Sequence, residues 1–182
     1  MRAKLPDSDD GSLSAKGCYK CNGRKSCQIC GLIKEGDSFE NSDENRCFTI
    51  FSGRYNCNSE NVVYLLQCEC CRKKYVGSTK TKFRQRFNVY KSYFRSYARR
   101  RDQGTLDRGK IIPQANFFSH FFEAGHNGKF DVTIKIIDGA ENVFSLRRKE
   151  LFWQYKLGTF LPRGLNERAV EVELDMFACG MA

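Results

Sequence analysis

Arg86 and Glu150 stand where apolar residues belong. Placed on a helical wheel at about 100° per residue, residues 79–101 put Phe83, Phe87, Tyr90, Phe94 and Tyr97 on one stripe, the ordinary mark of a core-facing helix. Arg86 lies on that stripe, flanked by Tyr90 and Tyr93. Residues 142–157 repeat the anomaly: Val143, Leu146, Trp153 and Leu157 make an apolar stripe, and Glu150 sits in its middle. Burying a lone charge costs on the order of several kcal/mol unless it is paired or does chemistry. One reading is a structural Arg86–Glu150 ion pair, or side chains that snorkel to an edge. The other is a site. A carboxylate can hold a divalent metal and a guanidinium can stabilise charge on a phosphate, which is what phosphodiester cleavage needs.

The elements that would carry these charges can be read in outline. VVYLLQC, from Val62, is a compact apolar run rich in β-branched residues, hence a buried strand. A short turn containing CECC leads to a second strand, KKYVGS, and so short a connection implies an antiparallel hairpin. Residues 79–101 form the first helix, 104–113 a loop, and 114–123 a short helix. DVTIKII alternates and ends in DGAEN, a third strand, before the helix at 142–157. The expected architecture is α/β or α+β, a small three-stranded, mainly antiparallel sheet flanked by helices. Residues 60–168 would form this main domain, after a disordered start (1–16) and a cysteine-rich segment (17–59) with one short strand near Cys47–Phe51, and before a C-terminal tail (169–182).

The net charge of +10 points to a polyanionic partner. From Arg72 to Arg101 there are 12 Lys/Arg and no Asp or Glu, which leaves 19 basic against 21 acidic residues elsewhere. Basicity concentrated in one segment is the footprint of phosphate-backbone binding, through Lys73, Lys74, Lys80, Lys82, Arg84, Lys91 and Arg95. A plain solvated helix face would read the same way. No apolar run is long enough to span a bilayer, and the first residues lack a secretory segment. The expectation is a soluble, intracellular protein with no membrane or small-molecule partner.

The ten cysteines include three CxxC pairs, Cys18/Cys21, Cys27/Cys30 and Cys68/Cys71. In a reducing compartment these favour zinc over disulfides. The two histidines, His120 and His126, fall together in SHFFEAGH. Cys18, Cys21, Cys27 and Cys30 offer a Cys₄ site.

In combination these residues resemble the GIY-YIG nucleases, most closely the endonuclease domain of Penelope-like retroelements. The name-giving segments stand as Val62-Val63-Tyr64 and Tyr75-Val76-Gly77. Gly77-Ser78-Thr79 with Phe83 and Arg86 follows, then Glu150, Trp153, Leu157, Thr159, Pro162 and Gly164-Leu165-Asn166. The match spans about residues 57–166. The resemblance implies a metal-dependent DNA endonuclease and a nuclear location. Tyr64 and Tyr75 would position or activate the attacking water, Arg86 would contact the scissile phosphate, Glu150 would hold Mg²⁺ or Mn²⁺, and Asn166 would brace the site. Two positions depart from the pattern: Val62 stands where the name has Gly, and Tyr90 where relatives often have His, which leaves the general base open. The resemblance also implies a structural zinc on Cys68, Cys71, His120 and His126, with Cys70 a rival ligand. At the N-terminus it favours Cys57 joining Cys21, Cys27 and Cys30. The alternative function is a non-catalytic, zinc-containing nucleic-acid-binding domain.

Overall fold

The computed structural model describes residues 16–21, 27–41, 46–50 and 52–167. The expected disordered start and C-terminal tail, apart from Lys16, lie outside the described residues, as do Phe51 and Cys179. In chain order the strands are β1 (Gly17–Cys18), β2 (Ser38–Asn41), β3 (Arg46–Thr49), β4 (Arg54–Tyr55), β5 (Val62–Cys68), β6 (Lys74–Thr79) and β7 (Val132–Gly139). The helices are α1 (Phe83–Asp102), α2 (Ala115–Ser119) and α3 (Val143–Lys156), with 3₁₀ turns at Cys30–Leu32 and His120–Phe122. The fold is mixed α+β with small sheets. None of the described helices is long and apolar enough to cross a membrane.

The main sheet has the order β6-β5-β7, with both pairings antiparallel. Its central strand is buried along nearly its whole length because helices cover both faces, so its sequence reads as one apolar run rather than as an alternation. Tyr64 and Tyr75 project toward α1, where Phe83 and Tyr90 meet them. Ser78, on the opposite face of β6, meets α3 through Glu150. The pairing of β5 with β7 shifts register between Val63 and Tyr64, so the irregularity falls beside Tyr64.

Thr79 still belongs to β6, and α1 begins only at Phe83. No side chain caps this helix. Its first amides are satisfied by backbone instead: Phe83 N–H donates to Ser59 O at 2.9 Å and Arg84 N–H to Cys57 O at 2.8 Å. Phe83, Phe87, Tyr90 and Tyr97 are buried as the stripe requires. The N-terminus of α3 carries a capping box between Asn142 and Ser145. Val143 departs from the expected stripe. It lies in the first turn and is 62% exposed, while Leu146, Glu150, Leu151, Trp153 and Gln154 are buried.

The cysteine-rich segment packs directly on the main sheet. Lys34 N–H donates to Ile134 O at 2.8 Å, and Ile136 N–H donates to Cys18 Sγ at 3.3 Å, so the outer edge of β7 is covered rather than left open. The hairpin of β2 and β3 sets Phe39 and Phe48 against Trp153 of α3. It also makes this segment more regular than the single short strand expected there.

Candidate active site and metal centres

Tyr64, Tyr75, Tyr90 and Arg86 form one hydrogen-bonded group. Arg86 Nε donates to Tyr64 Oη at 3.4 Å and Nη2 donates to Tyr90 Oη at 3.3 Å, with the guanidinium carbon 4.6 Å from the Tyr90 ring centre. Tyr90 Oη donates to Tyr75 Oη at 3.3 Å. A phenol has one proton and a guanidinium only donors, so the 2.8 Å contact between Tyr64 and Tyr90 is a donation from Tyr64. Tyr75 also accepts from Gln114 Nε2 at 3.1 Å. The hydrogen bonds therefore run Tyr64 to Tyr90 to Tyr75, and no described residue accepts the Tyr75 proton.

Burial pushes the Tyr64 and Tyr75 phenols well above their ordinary 10.0, and the neighbouring Tyr90 adds to the rise. At Tyr75 the Glu150 carboxylate contributes too, although it approaches from the far side of the sheet. At Arg86 burial opposes the charge, but the Tyr90 and Tyr64 phenols outweigh it and raise the pKa. Gly77, paired with Tyr64 across the hairpin, has no room for a side chain: a Cβ there would lie 2.7 Å from Tyr64 Oη and 2.9 Å from the Tyr75 ring.

Glu150 arrives at the same stretch of β6 from α3. Its Oε2 accepts from Ser78 Oγ at 2.9 Å and from Arg147 Nη1 at 2.7 Å; its Oε1 meets Gln154 Nε2 at 3.5 Å. The Arg86–Glu150 ion pair does not form. Arg147, one turn back on α3, is the carboxylate's cation, and Arg86 spends its donors on phenols. Asn166 braces β6 in the literal sense. Its Oδ1 accepts from Val76 N–H at 2.9 Å and its Nδ2 donates to Val76 O at 2.8 Å, so one side chain stands in for a neighbouring strand beside Tyr75. Gly164 lets the loop before Asn166 fold back on itself, since a Cβ there would overlap the Thr159 carbonyl.

The basic residues divide. Lys80, Arg84 and Arg95 are exposed, whereas Lys73, Lys82 and Lys91 are half-buried. Lys74 does not belong with them. It is 3% exposed, and its Nζ donates to Asn41 Oδ1 at 2.8 Å because the end of β2 lies over it.

Two cysteine clusters could hold a metal ion such as zinc. In each, the four ligand atoms lie within 4.8 Å of one another. Cys68, Cys71, His120 and His126 bring together the end of β5, the hairpin turn and the 3₁₀ turn after α2. Cys71 Sγ and His120 Nε2 are 3.3 Å apart, close to the roughly 3.5 Å between ligands of a tetrahedral zinc. His120 Nδ1 faces Glu123 at 3.1 Å, an outer contact that leaves Nε2 for the metal, and burial lowers the His120 pKa toward the neutral ring that ligation needs. Both ring nitrogens of His126 are buried without a hydrogen-bond partner, a deficit that a metal would relieve at one of them. Cys70 is not a ligand: its thiol turns away to Gly125 O at 3.1 Å.

The second cluster is Cys21, Cys27, Cys30 and Cys57. Sulfur pairs approach to 3.2 Å (Cys21–Cys30) and 3.5 Å (Cys27–Cys57). Burial works against ionisation of Cys27, but hydrogen bonds from the Ile29 and Cys30 amides and neighbouring thiols bring it to about 7; burial and the Cys21 thiol push Cys30 up to about 11. Cys18 is excluded. It is fully buried against β7, where burial raises its thiol pKa and the Ile136 amide occupies its sulfur.

No family model, curated protein or solved structure matches the chain.

Several site neighbours carried no signal in the sequence. Arg147 and Gln154 are ordinary helix residues until Glu150 is placed between them. Gln114 opens the short helix expected at 114–123, and nothing in its type or place there points to a phenol. Ser78 lies within a quoted motif, yet nothing in its spacing points to a carboxylate.

Proposed function

We propose that the chain is a metal-dependent DNA endonuclease with a GIY-YIG-type fold, of the kind used by Penelope-like retroelements, acting in the nucleus. One observation carries this reading: a guanidinium bonded to two phenols, and through them to a third on β6, and a nearly buried carboxylate are brought to the same edge strand from opposite faces of the sheet.

The donor set at Glu150 fits Mg²⁺ or Mn²⁺. A small hard cation binds through one or two carboxylates and keeps several waters, and Oε1 has a single contact at 3.5 Å. Such an ion would supply charge neutralisation on the phosphate and an acidified water. Arg86 would donate to a non-bridging phosphate oxygen from where it now donates to Tyr64 and Tyr90. Tyr75 holds its proton at neutral pH, because burial has raised its pKa, so it acts as a hydrogen-bond donor and not as the general base. Lys80, Arg84 and Arg95, with Lys73, Lys82 and Lys91 beside them, would contact the DNA backbone. Both cysteine clusters would hold structural zinc, since four protein ligands leave no open position.

The seating of Arg147 on Glu150 favours a second reading, a zinc-containing nucleic-acid-binding domain without catalysis. Plasmid nicking with Mg²⁺ or Mn²⁺ separates the two. The endonuclease relaxes supercoiled DNA, and Glu150→Ala and Arg86→Ala do not. Intact plasmid with wild-type protein under both metals establishes the binder.

A further inference from the structure

Gln114 holds an unusual position for its residue type. Its backbone is left-handed, at φ 61° and ψ 34°, a conformation that costs little for Gly or Asn and more for Gln. It marks the point where the chain turns from the 104–113 loop into α2. No side-chain cap is made there. The side chain instead donates from Nε2 to Tyr75 Oη at 3.1 Å, while its Oε1 is buried without a hydrogen-bond partner. Strained backbone and an unsatisfied buried acceptor are both features that folding alone disfavours, and here they coincide on the residue touching the last phenol of the chain.

The same short stretch reaches two other parts of the molecule. Phe117 packs on the Tyr75 ring at 4.5 Å between centres, and His120 belongs to the Cys68–Cys71–His120–His126 cluster. The stretch that begins with Gln114 bonded to Tyr75 thus ends in a residue of a candidate metal centre.

We propose that Gln114 is a positioning residue of this site, holding the Tyr75 phenol so that its proton is presented to the substrate phosphate; this rests on the endonuclease reading above. Tyr75 Oη has two lone pairs, and Tyr90 and Gln114 fill both. Its proton is then left to point away from the protein's own acceptors.

Gln114→Gly is the informative substitution, because glycine tolerates the left-handed backbone and relieves its strain. The variant folds at least as stably as wild type and keeps its metals. With ¹³Cζ-labelled tyrosine, the Tyr75 resonance titrates at higher pH than in wild type, since its phenolate has lost a donor. The kcat for plasmid nicking falls about tenfold with KM for DNA unchanged, the loss of roughly one hydrogen bond in the transition state. Gln114→Glu replaces the donor by an acceptor that captures the Tyr75 proton, and its nicking falls as far as that of Tyr75→Phe. The proposal is overturned if Gln114→Gly nicks like wild type, or if its Tyr75 resonance titrates unchanged. Wild-type protein that leaves DNA intact with both metals defeats the endonuclease reading separately, and the Tyr75 titration then still decides whether Gln114 tunes that phenol.

Discussion

Arg86 and Glu150 reach the edge of β6 from opposite faces of one sheet, and their surroundings differ in kind. Arg86 donates to phenols that are themselves fully buried and bonded in series, on a helix whose first amides are held by the backbone around Cys57. Glu150 accepts from a cation on its own helix, and that cation, Arg147, is about half exposed. One half of the site is closed around its phenols, with the guanidinium donating through Nε and Nη2. The other half can exchange a partner without disturbing the fold. A preorganised donor array beside an exchangeable carboxylate suits a site in which charge must be stabilised on one side and a cation admitted on the other.

The sharpest way to break this comparison is to remove each charge in turn. Both Arg86→Ala and Glu150→Ala should lower DNA cleavage by at least about 10²–10³-fold, the usual loss when a donor to a developing charge is removed. Stability should separate them. Arg86→Ala leaves buried phenol oxygens short of donors and should cost about 1–3 kcal/mol in urea unfolding. Glu150→Ala removes an expensive nearly buried carboxylate whose main partner can turn to solvent, so its unfolding midpoint should stay close to wild type. Equal destabilisation by the two substitutions would mean the halves are built alike.

His126→Ala tests what stands behind the closed half. The cluster ties the β5–β6 turn to the 3₁₀ turn after α2, next to Tyr75 and Phe117, and Glu150 is not part of it. The substitution should release zinc in a colorimetric chelator assay and lower Tm by roughly 4–8 °C, an effect on the order of 2 kcal/mol for a chain of this size. Full retention of zinc would move the ligand set elsewhere.

How far these contrasts can be read from the sequence depends on periodicity. The charges on apolar stripes were legible because a helix imposes 3.6-residue spacing and Arg86, in the first turn of α1, and Glu150, in the middle of α3, violate it. Two long helices were legible for the same reason, and three strands from short apolar or alternating runs bounded by turns. Val143 misleads because it is exposed in the first turn of its helix, although its spacing is that of a core residue. Lys74 misleads because strand neighbours point to opposite faces, so a basic run in one dimension does not make a basic surface. Cys18 has the CxxC spacing of a ligand, yet its burial follows from pairing with Tyr55 of β4 and from contact with β7, both distant in sequence. Gln114 and Arg147 were out of reach, since each acquires meaning only from a partner placed by tertiary packing.

Alkaline titration sharpens the closed half alone. Tyr64 and Tyr75 have pKa values raised by burial above the 10.0 expected in the unfolded chain. A raised folded pKa contributes stability that is complete below the unfolded value and is lost as pH rises through the folded one. Unfolding free energy should therefore fall from about pH 10 upward, more steeply in wild type than in a Tyr64→Phe variant, which lacks one of these protons. Parallel curves from pH 8 to 11 would show that the buried phenols do not govern the decline.

The smallest effect belongs to the exchangeable half. Arg147 is 49% exposed at its side chain, so its 2.7 Å bond to Glu150 is only partly shielded from water, and pairs of that kind are worth about 0.2–1 kcal/mol. Arg147→Gln removes the cation that competes for the carboxylate. Without DNA, Mn²⁺ affinity followed by electron paramagnetic resonance should rise about 1.4- to fivefold, the same free energy expressed as a ratio. DNA affinity measured with metal absent should fall slightly, because one positive charge near the phosphate path is gone, and the fall should shrink as salt is added. An unchanged Mn²⁺ affinity would mean that Arg147 and the ion occupy different sides of Glu150. The open half would then be open at Oε1 alone, with Arg147 free to stay in place when phosphate arrives.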